Sequence, residues 1–186
     1  MKHPRTRRQC GMTLVEVLAV LAIAAVLIAV ALPDFGSMLR QYRVKAAATD
    51  LYVALEQTRA QAIARGNRVL LVPAAADGVS WQEGWIVLVD HDGDRRPGEG
   101  DEILSRQPAL DARITVSSVF TSQKAPFYVA FSGAGRACSD SSSIAARWGS
   151  FTLTDGATTR RIRLSMLGRA RVCDPQRDGA SCGAVE

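Results

Sequence analysis

Residues 12–32 read MTLVEVLAVLAIAAVLIAVAL, and Glu16 is their only charged residue. At about 1.5 Å per residue, a helix of this length covers the roughly 30 Å apolar core of a bilayer. The eleven residues before it carry Lys2, Arg5, Arg7 and Arg8 and no acid. By the positive-inside rule that leader stays in the cytoplasm, and the chain beyond the apolar run lies across the membrane. A secretory signal peptide has its small-residue cleavage point after the apolar region. Here the small residue, Gly11, comes before it, so cutting there leaves the hydrophobic helix on the mature chain. Glu16 is the anomaly, because a carboxylate one turn into such a segment is costly unless it snorkels or is paired. A neighbouring subunit's new amino terminus, created by cleavage after Gly11, supplies a partner of the right sign.

Gly11-Met12-Thr13-Leu14-Val15-Glu16 resembles the class III signal of type IV pilins and type II secretion pseudopilins. The resemblance implies a prepilin peptidase that cuts after Gly11 and methylates Met12, and an assembly role for Glu16. Pro33 falls where pilins often carry a helix-kinking proline. Met12 departs from the phenylalanine usual at that position. The organisation expected is a leader over 1–11, a membrane and assembly helix over 12–33, its amphipathic periplasmic continuation over 34–66, and a β-rich head over 67–186.

Leu51, Leu55, Thr58 and Ala62 repeat at i, i+4, i+7 and i+11 and predict one buried helical stripe. Gly66-Asn67 is a helix stop. Strand-like runs follow at 68–72, 85–90, 114–120, 127–132, 150–154, 160–166 and 169–173. One long helix followed by strands predicts an α+β fold, with the helix packed on antiparallel sheet. Aromatics are only 6%, so the core must come mainly from Val, Leu, Ile and Ala. The segments 58–69 and 84–90 resemble those of the GspH/FimT group of minor pilins and pseudopilins. That likeness implies a type IV pilin-like head of two sheets, in a low-abundance subunit that assembles with other pilins.

Two histidines, His3 and His91, lie far apart in the chain, which argues against a His-based triad or metal site and against an enzyme. No cofactor is implied. Removing the leader takes the net charge from +5 to +1 and exposes a polarity. Residues 77–111 hold nine acids against three arginines, whereas 113–186 hold ten bases against five acids. Asp90, Asp92, Asp94 and Asp101 have part of the spacing of a calcium loop, but Arg95 stands where that loop needs glycine. A solvated loop without metal is the expectation there.

At the basic end, 160–166 and 169–173 alternate, with Ala170 and Val172 as the apolar set of the second run. A three-residue connection with Gly168 left-handed pairs Ser165 with Arg169. That register puts Arg161, Arg163, Arg169 and Arg171 on one exposed face, suited to bidentate contact with phosphates. A merely solvated polar face is the competing reading. Gly168-Arg-Ala-Arg171 also resembles the Gly-Arg-x-Arg element associated with DNA binding in FimT-type minor pilins. No aromatic lies in the hairpin, so readout of backbone rather than bases is expected. Cleavage removes Cys10, leaving Cys138, Cys173 and Cys182 to face an oxidising periplasm. Cys173 with Cys182 or Cys138 with Cys173 are both open. The chain reads as a single-pass inner-membrane protein, assembled into a pilus that binds DNA or into a secretion pseudopilus.

Overall fold

The structure is a computed structural model that describes residues 11–121 and 124–183, leaving out the side chains of 29–34. Residues 1–10 of the leader, with Cys10, and the Pro33 side chain therefore lie outside the described residues. Two compact units are present, one ending at Leu39 and the other beginning at Arg40.

The helix α1 spans Leu14–Arg65. In the first unit its apolar side chains stand exposed, Leu14, Leu18, Leu21 and Leu27 among them. Among the described residues no helix is long and apolar enough to cross a membrane.

In the second unit, α1 buries Val44, Ala48, Leu51, Leu55, Thr58 and Ala62 along one stripe. Thr58 is tolerated there because its hydroxyl donates to the Ala54 carbonyl at 2.6 Å. The helix ends where Gly66 turns left-handed at φ +62° and Asn67 N–H reaches back to the Ala62 carbonyl.

Among the described residues, nine strands form two antiparallel sheets: β1 Val69–Pro73, β2 Trp85–Val89, β3 Glu102–Gln107, β4 Thr115–Phe120, β5 Val129–Phe131, β6 Ala137–Cys138, β7 Gly149–Asp155, β8 Thr158–Leu164 and β9 Ala170–Cys173. The first sheet runs β3-β2-β1-β5-β6 and the second β4-β7-β8-β9. Leu51 and Leu55 join Leu71, Val87 and Phe131 of the first sheet with Phe151, Leu153 and Ile162 of the second in one core. β1 and β2 are buried at every position, since Leu70, Val72, Ile86 and Leu88 form a second cluster. This two-sided burial explains their unbroken apolar runs. The second sheet alternates instead: in β7, Phe151 and Leu153 face inward while Ser150, Thr152 and Thr154 face out. The Arg43–Asp155 ion pair, at 2.8 Å, ties α1 to the end of β7.

Candidate nucleic-acid interface

β8 and β9 form the last hairpin, with Leu164 opposite Ala170, Arg163 opposite Arg171, and Arg161 opposite Cys173. Ser165 N–H donates to the Arg169 carbonyl at 3.0 Å and Gly168 N–H to the Ser165 carbonyl at 2.9 Å. Gly168 holds φ +78°, and a Cβ added there would run into the carbonyl oxygen of Gly135. That same carbonyl accepts Arg59 Nε at 2.9 Å, so the hairpin tip abuts a turn held by α1. The alternation of β8 leaves Ile162 and Leu164 in the core and sends Arg161, Arg163, Arg169 and Arg171 to the opposite face.

Equal exposure of the four does not hold. Arg169 and Arg171 are exposed, whereas Arg161 and Arg163 are half-buried. The reason is the tail. Cys173 and Cys182 are bridged, with Cα atoms 5.7 Å apart, and the bridge folds the tail onto the outer face of β8 and β9. Arg161 Nη1 donates to the Cys182 carbonyl at 2.9 Å, and Arg163 Nη1 to the Ser181 carbonyl at 2.8 Å. Arg161 Nε also donates to Thr152 Oγ1 at 3.3 Å. Arg160, at the other end of β8, pairs with Asp174 at 2.7 Å. Asp174 caps the short helix α2, Pro175–Asp178, by accepting Gln176 N–H at 3.0 Å. These carbonyls leave no mark in the sequence, but Asp174-Pro175 is a helix-start signal that points to an ordered tail. Val172, expected in the core, is 39% exposed because β9 is an edge strand. Cys138 is a free, buried thiol on β6 whose pKa burial pushes up.

In the acidic loop, the carboxylates of Asp90, Asp92, Asp94 and Asp101 lie within 4.8 Å of one another. They accept backbone N–H groups of the loop itself: Asp90 from Gly93 and Arg95, Asp94 from Arg96, Asp101 from His91 and Gly98. Burial raises the pKa of Asp90 against the pull of its two amides. Arg95 adopts φ +63°, the backbone conformation the sequence would assign to glycine there. Its side chain explains the choice. Arg95 Nε pairs with Asp140, and its guanidinium lies over the Tyr128 ring at 4.9 Å. Tyr128 and Ser139 hydroxyls also donate to Asp140. Burial alone would raise the Asp140 pKa, but these hydrogen bonds and the Arg95 charge outweigh it and hold it at about 2. Arg147, only 6% exposed, stacks on the same ring at 3.8 Å. The members of this cluster are scattered over 95–147, so no local motif marks it in the sequence.

At the amino-terminal end, Gly11, Met12 and Glu16 are exposed. Thr13 Oγ1 accepts Glu16 N–H at 3.3 Å, so Thr13 and Glu16 occupy the first and fourth positions of a capping box. The spacing was legible as Thr-x-x-Glu.

The N-terminal methylation motif of prokaryotes matches residues 6–32, and the type II transport protein GspH matches residues 47–168. No curated protein matches the chain. The minor pilin FimU of Pseudomonas aeruginosa is similar in fold, with a TM-score of 0.54 at 17% identity, covering 77% of this chain and 92% of that one. The minor pseudopilin EpsH of the Vibrio cholerae type 2 secretion system has a TM-score of 0.51 at 12% identity, covering 72% and 98%. The α+β, type IV pilin-like fold read from the sequence is the one observed. With the methylation motif at its start and the family match across most of its second unit, the chain belongs to the GspH family of pilin-like type II transport proteins.

Proposed function

We propose that this chain is a structural minor subunit of a pilus, anchored by one span of the inner membrane with its head in the periplasm. Prepilin peptidase cuts it after Gly11 and methylates Met12, and Glu16 pairs with a neighbouring subunit's amino terminus. Its last hairpin holds the phosphate backbone of DNA during uptake, without sequence preference. One observation carries this reading: Arg163 and Arg171 stand as direct cross-strand partners with Arg169 exposed beside them. Guanidinium groups at strand spacing suit bidentate contact with successive phosphates.

A second reading, a pseudopilin or pilin acting only in assembly, is favoured by the tail, since Arg161 and Arg163 already donate to its carbonyls. DNA titration of the full chain in detergent, across a salt series, separates the two. Arg169→Gln/Arg171→Gln should weaken binding about tenfold and lower the salt slope by about two. Lys45→Gln/Arg106→Gln removes equal charge elsewhere and should do little. An equal loss in that control, or no DNA binding by the parent chain at low salt, leaves the assembly reading standing.

A further inference from the structure

We propose that the DNA does not end at the hairpin but crosses the whole outer face of the second sheet, with serine and threonine hydroxyls of β7 and β4 as added phosphate donors. This inference rests on the hairpin reading above. The register lays out the track. Arg171, Arg163, Ser150 and Val119 stand in one cross-strand row. Arg161, Thr152 and Ser117 stand in the next. At about 4.8 Å between strands, Arg171 to Val119 is about 14 Å, a path wide enough for one strand's sugar–phosphate backbone.

Three features suit that occupant. None of the outward positions of β4, β7, β8 or β9 carries a carboxylate. An ordinary solvated sheet face mixes both signs of charge, so the bias is toward an anion. The side chains beyond the arginines are short hydroxyls, which let a backbone approach closely and donate to phosphate oxygens. Thr152 Oγ1 accepts Arg161 Nε, a bond that does not use the hydroxyl proton. Ser181 and Cys182 carbonyls meet Arg163 and Arg161, so on β8 the backbone passes over tail-held arginines, with exposed Arg171 on one side and exposed Ser117 and Val119 of β4 on the other. Val119, 63% exposed at the far end of its row, offers apolar contact to sugar.

Photo-crosslinking of the full chain in detergent to a short mixed-sequence duplex tests the track. A crosslinker is placed on Ser117→Cys, on Leu167→Cys at the hairpin tip, and on Val53→Cys on the helix. The native Cys138 thiol is buried and does not compete. Capture at 117 and 167 but not at 53 is expected. In parallel, Thr115→Lys/Ser117→Lys should steepen the salt slope by about two. Capture at 167 without capture at 117, and an unchanged slope for the lysine pair, overturns the track and leaves the hairpin reading intact. Failure of the parent chain to bind the duplex at low salt overturns the hairpin reading, and the track with it.

Discussion

Arg163 and Arg171 face each other directly across neighbouring antiparallel strands. Like charges so placed work against the sheet that holds them. Arg171→Thr should therefore stabilise the head by about 0.5 kcal/mol in urea denaturation, while lowering DNA affinity severalfold. A variant less stable than its parent would show that the pair is not repulsive.

Asp140 gives a pH signature. Its folded pKa, about 2, lies below its ordinary value, so it adds stability above the unfolded value and loses it as pH falls through the folded one. Thermal melts should decline between about pH 4 and pH 2 in the parent chain. Asp140→Asn should be less stable at neutral pH and show a flatter profile in that window. Parallel profiles for the two proteins would remove Asp140 as the source.

The Cys173–Cys182 bridge should be worth about 2.6 kcal/mol by loop closure. Cys173→Ser/Cys182→Ser should lower the denaturation midpoint and open the tail to protease near Arg177. Reduction of the parent chain should reproduce both effects. A tail equally resistant in all three states would mean that Arg161 and Arg163 hold it unaided.

Gly168 and Gly179 separate crowding from backbone strain. Both have positive φ, but only Gly168 has another residue's carbonyl against it. Gly168→Ala should cost about 1–3 kcal/mol and Gly179→Ala less, measured by chemical denaturation. Equal costs would argue that the hairpin tip is free to shift away from Gly135.

Intact mass of membrane material checks processing. Gly11→Ala should retain the leader, and a cut, methylated variant would refute that site. Glu16→Gln removes the charge at nearly constant size, and the main-chain N–H that donates to Thr13 Oγ1 is untouched. It should insert normally yet be missing from filaments, and Glu16→Ala should behave the same way. Normal incorporation of Glu16→Gln would rule out a charge pair between Glu16 and the neighbouring amino terminus.

The buried stripe of α1 was readable because Leu51, Leu55, Thr58 and Ala62 keep helical period, and all four are buried. The hairpin register was readable because alternation in β8 and a glycine at 168 agree on one pairing. β3 was not. Its register shifts between Val87 and Leu88, so Leu104 is an extra residue beside Ile103 and the alternation breaks. Glu102 and Arg106 then make the stretch look like loop. The covering of Arg161 and Arg163 was invisible for another reason: main-chain carbonyls accept there, and every residue has one.

Gly135 gives the hairpin a mechanical role. Its carbonyl receives Arg59 from the helix and faces Gly168 at the hairpin tip. A load pressing the hairpin tip inward therefore meets a strut, and the strut ends on α1. Compression toward the core is borne by that contact, while traction along the strands is borne in shear by the bonds joining β7, β8 and β9. Zipper-like peeling breaks such bonds one at a time, and shear loads them together. A hairpin held in this way yields more readily to peeling at its open edge than to traction along its strands.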